Sequence, residues 1–170
     1  DLAWRRSHGI GDDDILISFV GRVVLEKGLD IFADVIEGLQ EQGYPIKSMM
    51  VGEGPARAAM QARLPDTVFT GHLGGDALPK AYASSDIFLF PSDTETFGNV
   101  TLEAMASGLP AVCADATGAS ELVQHCSTGY LAPPGDPDGF LDYVTRLVKN
   151  VERRTRFGEA AIDRAEHYDW

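Results

Sequence analysis

No apolar run in this sequence approaches the roughly 18 residues that a helix needs to cross a bilayer. The opening Asp1-Leu2-Ala3-Trp4-Arg5-Arg6 has no apolar stretch of the signal-peptide kind. Cysteine is scarce: Cys113 and Cys126 are the only two. Their spacing is neither C-x-x-C nor zinc-like, so they read as reduced, mostly buried thiols of a cytosolic protein. Positive charge is also short, with 14 Lys and Arg against 26 Asp and Glu, a formal net charge of −12. That balance repels phosphate backbones and argues against sequence-independent nucleic-acid binding. A small phosphorylated ligand is still allowed, since a pocket needs only a few placed cations and some backbone N–H groups. The basic residues gather late, at Arg146, Lys149, Arg153, Arg154, Arg156 and Arg164. They fit the solvated faces of helices, or a surface that meets an acidic partner.

What is present is enough apolar material, 44% of 170 residues, for one domain with its own core. Its periodicity alternates between strand and helix. Short apolar runs at 15–20, 46–51, 67–70, 86–90, 110–113 and 129–131 suit strands buried on both faces. Helical spacing fills 28–42, 55–64, 77–84, 98–107, 120–124, 137–150 and 151–167. Short strands separated by helices mean right-handed βαβ crossovers and a doubly wound parallel α/β sheet. Such a sheet takes its ligand outside the carboxyl ends of its strands. Functional residues are therefore expected just after Val20, Val51, Thr70, Phe90 and Cys113.

Three of those loops carry chemistry. Arg22 and Lys27 lie between the first strand and a helix start, where free N–H groups favour an anion. Arginine makes forked contacts with a diphosphate and lysine point contacts. Spacing alone fits equally a surface pairing with Glu26 and Asp30. Gly52-Glu53-Gly54 begins like a dinucleotide fingerprint, but Arg57 occupies the place of the third glycine, so a plain glycine turn explains it. After the fourth strand comes Thr94-Glu95-Thr96-Phe97-Gly98-Asn99-Val100-Thr101-Leu102-Glu103. Here a polar loop opens a helix whose first N–H groups, at Gly98, Asn99 and Val100, would face an anion. Glu95 and Glu103 could reach the two ends of a ligand lying over that helix start. As spacing alone, the pair reads just as well as solvated charge.

Context adds to this. The pair is followed by Ala104-Met105-Ala106 and Gly108-x-Pro110, and Gly21-Arg22, Glu26-Lys27-Gly28, Val51-Gly52-Glu53-Gly54-Pro55, Phe69-Thr70-Gly71 and Ala81-Tyr82-Ala83-Ser84-Ser85-Asp86 precede it in order. Gly118, Glu121-Leu122-Val123 and Gly129-Tyr130-Leu131 follow. The ordered set resembles the donor-binding domain of the retaining GT-B glycosyltransferases of family four. The resemblance implies the C-terminal, Rossmann-like half of a GT-B fold, with residues 1–170 as the nucleotide-sugar domain and the N-terminal acceptor domain absent from this chain. It places Arg22, Lys27 and Glu95 at the reacting centre, the first two on the diphosphate and Glu95 on the donor sugar beside Thr96 and Phe97. It puts the distal phosphate on the N–H groups of Gly98, Asn99 and Val100, with Thr101 close by, the ribose on Glu103, and the base near Gly71, His72 and Leu73.

The expected activity is hexosyl transfer with retention, from a GDP- or UDP-linked mannosyl or glucosyl donor, without a metal or other cofactor. A stand-alone nucleotide-sugar-binding module and a GT-B sugar-nucleotide epimerase are the alternatives. The expected partners are the donor and the missing N-terminal domain, with no nucleic acid. A membrane-associated acceptor is compatible with this, as is a cytoplasmic protein held at the inner membrane face through the missing domain. Alone, these residues are expected to fold and bind nucleotide weakly but not to transfer sugar. Asp12-Asp13-Asp14 precedes a strand and reads as a solvated turn; His8, His125 and His167 lack partners at ligand spacing. No nucleophilic Ser/His/Asp set can be assembled.

Overall fold

The computed structural model of the chain describes residues 1–94, 99–116 and 118–168. Six strands form one parallel sheet in the order β3-β2-β1-β4-β5-β6. They are β1 (Ile15–Val20), β2 (Ile46–Val51), β3 (Val68–Gly71), β4 (Ile87–Phe90), β5 (Ala111–Ala114) and β6 (Gly129–Ala132). The first two pair from Ile15↔Ile46 to Val20↔Val51 without a slip. The chain winds outward from β1 to β3, returns to place β4 on the other side of β1, and winds outward again. That reversal between β1 and β4 is the switch point of a doubly wound sheet, where two loops diverge and leave a crevice.

The helices are α1 (Leu2–Ser7), α2 (Leu29–Glu41), α3 (Arg57–Arg63), α4 (Ala77–Ser84), α5 (Asn99–Ala106), α6 (Ala119–Leu122), α7 (Pro137–Lys149) and α8 (Val151–Ala165). Helix α2 buries Leu29, Phe32, Val35, Ile36 and Leu39, the spacing of a single helical face. It packs with α7, and α5 packs with α8. Right-handed crossovers running in opposite directions from the centre assign one pair to each face of the sheet. Strands buried on both faces need apolar side chains throughout, and β4 (Ile-Phe-Leu-Phe) and β5 (Ala-Val-Cys-Ala) are fully buried. The centre is aromatic: Phe90 stacks on Phe19 at 5.4 Å and on Phe88 at 5.6 Å between ring centroids.

Helix α1 is the element that the periodicity does not announce. It is six residues long and half polar, and Asp1 caps it by accepting a hydrogen bond from the Trp4 N–H at 3.0 Å. Buried Arg5 ties it down, donating to the Gly11 carbonyl at 2.8 Å and to the Asp86 carboxylate at 3.2 Å. Three of the late arginines make polar contacts within the domain. Arg146 pairs with Asp142, Arg154 caps the α7 carbonyls of Leu147 and Val148, and Arg164 holds the Glu121 carbonyl.

Candidate functional site

A cleft of about 310 Å³ opens at the carboxyl edge of the sheet, within the range of small-ligand sites. Five chain segments line it: Gly21-Arg22 after β1, Gly52-Glu53 after β2, His72-Leu73 after β3, Leu78 of α4, and Val100 with Glu103 of α5. The β1 and β2 loops run close together and form one wall of the cleft. The Gly21 N–H donates to the Val51 carbonyl, and the Val23 N–H to the Glu53 carbonyl, both at 3.0 Å. A Cβ on Gly52, whose φ is 138°, would collide with the Gly21 carbonyl oxygen. The glycines of Gly52-Glu53-Gly54 thus serve backbone approach and leave the dinucleotide reading without a role.

Charge in the cleft is mixed. Arg22 is exposed and lines it. The Glu53 carboxylate is paired with Arg57, one helical turn further on, and Arg57 also lies over the Phe69 ring, 6.0 Å from its centroid. Glu103 is half-buried, and its Oε1 accepts a hydrogen bond from the Tyr82 hydroxyl at 3.1 Å. Burial first, and the neighbouring Glu103 charge second, hold the Tyr82 phenol well above the ordinary tyrosine value. The group stays protonated and remains a donor.

The sequence-derived candidates divide into three sets. Arg22, His72, Leu73, Val100 and Glu103 converge on the cleft. Lys27, at the end of a 3-10 turn over Leu25–Lys27, is half-buried on the same loop as Arg22, and Asn99 is exposed at the start of α5. Gly71 is buried at the end of β3. None of these three lines the cavity. Asp30, an alternative partner for the loop cations, pairs instead with Arg63 at 3.6 Å. Glu95, Phe97 and Gly98 lie outside the described residues.

One site candidate has a buried side chain, and one reading needs correction. Thr101 is 1% exposed, with its hydroxyl against the Cys113 thiol and no conventional hydrogen-bond partner among the described residues. Its helix position turns its side chain toward β5 and the core, away from the cleft that Val100 and Glu103 line. Cys126 is exposed, not buried like Cys113; it sits in a turn with φ 66°, which keeps it out of the core.

Among the described residues no cluster of three His, Cys, Asp or Glu has metal-binding geometry. Asp12 pairs with Arg6, and Asp14 accepts from the Gly11 N–H at 2.7 Å, as a solvated turn would. Spacing missed Glu53 and Leu78 as lining residues and Tyr82 as the partner of Glu103. Glu53 carried a signal, because it lies two residues past the end of β2. Leu78 carried none, and Tyr82 stood only as a member of the ordered match without a role, since their α4 reaches the site only through the long β3–β4 return.

A doubly wound parallel sheet with a cleft at its switch point defines a Rossmann-like α/β domain. The chain belongs to the family described as glycosyl transferases group 1, which matches residues 1–164. It is 39% identical over its whole length to the sulfoquinovosyl transferase SQD2 of Arabidopsis thaliana, covering 33% of that protein. Over 86% of its length it is 40% identical to a GDP-mannose-dependent alpha-mannosyltransferase of Mycolicibacterium smegmatis, covering 37% of it. The chain therefore spans about a third of the length of these relatives. Among solved structures, Anabaena Alr3699/HepE in complex with UDP-glucose matches 97% of this chain and 47% of its own, with a TM-score of 0.86 at 24% identity.

Proposed function

We propose that this chain is the donor-binding domain of a retaining glycosyltransferase that moves a hexose from a nucleotide diphosphate sugar to an acceptor. The observation that carries the reading is the cleft, which sets the Arg22 cation and the Glu103 carboxylate on one cavity at the switch point. Such a pair suits a ligand with an anionic middle and a hydroxylated end. Arg22 and Lys27 bind the diphosphate and take up the charge that grows on it as it leaves. The N–H groups at the start of α5 hold the distal phosphate. Glu103 accepts from the ribose hydroxyls, Glu95 from the donor sugar, and the base rests by Gly71, His72 and Leu73.

In the transfer step the bond from the anomeric carbon to the diphosphate oxygen breaks, and its electron pair stays on the diphosphate. The acceptor hydroxyl bonds to the same carbon on the same face, and its proton passes to the departing diphosphate. The configuration is kept. Arg22, Lys27 and the helix N-terminus supply the charge neutralisation, so the route asks for no metal. The acceptor site belongs to a second, N-terminal domain. The relatives' names point to different sugars, sulfoquinovosyl in one and GDP-linked mannose in another, and the solved neighbour holds UDP-glucose. A thermal-shift panel of GDP- and UDP-sugars on the full-length protein selects the donor.

Replacing Arg22 or Lys27 with alanine in the full-length enzyme is expected to lower turnover by at least about a hundredfold, the scale of losing one charge-stabilising group. Near-normal turnover in both variants refutes the assignment.

A further inference from the structure

Tyr82 lies outside every role assigned so far. It is 3% exposed and sits on α4, with its ring tilted against Phe88 of β4 at 6.5 Å between centroids. That packing leaves only the hydroxyl to act. The hydroxyl has one proton and two acceptors within reach: Glu103 Oε1 at 3.1 Å and the Val100 carbonyl oxygen at 3.3 Å. A carboxylate is the stronger acceptor, so the proton goes to Glu103.

A second observation gives that bond a purpose. Glu103 and Leu78 border two cavities. One is the cleft already described; the other, about 200 Å³, is lined by Leu78, Pro79, Tyr82, Glu103 and Ser107. A glutamate on this boundary has room to turn either way, and a long side chain held by nothing spreads over its rotamers. We propose that Tyr82 is a positioning residue: from the side of the second cavity it anchors Glu103 Oε1 and fixes the carboxylate at the edge of the cleft, with its remaining lone pairs ready for the vicinal hydroxyls of a ribose. The donor site then discriminates ribonucleotides from deoxyribonucleotides through a two-residue device, Tyr82 behind and Glu103 in front. Preorganising the carboxylate removes an ordering cost that binding would otherwise carry. This rests on the reading of Glu103 as the ribose ligand.

The test is a set of affinities measured by calorimetry on the protein and on Tyr82→Phe, Glu103→Ala and the double variant. The probes are UDP and GDP with their 2′-deoxy and 3′-deoxy counterparts. Tyr82→Phe keeps the buried ring, and its far-UV spectrum and melting curve verify the fold. With the nucleotide that binds, Tyr82→Phe is expected to weaken the ribo form by about three- to tenfold, the effect of one lost hydrogen bond. The deoxy forms should change little, so the ribo-over-deoxy preference shrinks. In the Glu103→Ala background the same change should do nothing more. Equal weakening of ribo and deoxy forms, or no weakening at all, overturns the role of Tyr82. If Glu103→Ala leaves the ribo-over-deoxy preference intact, the ribose assignment itself fails, whatever Tyr82 does. If neither diphosphate binds the unaltered protein, both readings fall.

Discussion

At the scale of single residues, the region around α5 shows how one helix face separates site from core. Val100 and Glu103 border the cleft, while Thr101, Leu102, Ala104 and Met105 are buried. A turn of 3.6 residues sends position 101 away from 100 and 103 toward β5. Its hydroxyl there meets the Cys113 thiol, a poor partner, and a buried hydroxyl without a good bond costs stability. Thr101→Val keeps the shape and removes the oxygen. The expected result is unchanged nucleotide affinity and a stability that holds or rises by up to about 1 kcal/mol. Isothermal titration and urea melts check both. A large loss of affinity would mean that the Thr101 hydroxyl itself serves the bound nucleotide.

At the scale of elements, the strands were legible because burial on both faces demands mainly apolar runs: β4 is unbroken, β1 is interrupted only at Ser18, and β2 only at Lys47 and Ser48. Helices α2 and α7 were legible for the opposite reason, an apolar stripe at a 3.6-residue period. Helix α1 was not, because its stability is tertiary: Arg5 reaches residues 6 and 81 positions away. Close approaches between elements leave even less trace in sequence. Gly158 of α8 is buried against the turn after α5, and a Cβ there would collide with the Gly108 carbonyl oxygen. Alanine would gain about 0.5–1 kcal/mol of helix propensity at this position. Overpacking against backbone costs about 1–3 kcal/mol, because the obstacle is not a flexible side-chain end. The clash wins. Gly158→Ala is expected to lower the urea midpoint; a higher midpoint would mean that α8 simply slides outward.

At the scale of the whole molecule, the cleft joins segments from residue 20 to residue 103, and only the return from β3 to β4 brings them together. Individual positions such as Arg22 and Glu103 were therefore legible as candidates, while their convergence required the topology. The same inward packing is expected to make the fold sensitive to alkali. Cys113 lies fully buried in β5, and burial pushes its thiol up to about 12 from an ordinary 9.0. Tyr82 is raised in the same direction from an ordinary 10.0. Above pH 9 the unfolded chain releases these protons first while the native state retains them, so unfolding becomes easier as pH rises. Each group contributes a slope of at most about 1.4 kcal/mol per pH unit. For the thiol that slope acts from about pH 9 to about pH 12, and below pH 9 its contribution is fully present. Urea melts from pH 8 to 11 should show the decline. Cys113→Ala, compared with the unaltered protein, should flatten it from pH 9 upward, and Tyr82→Phe from about pH 10. Curves that stay parallel across that range would mean the two protons are not the ones released.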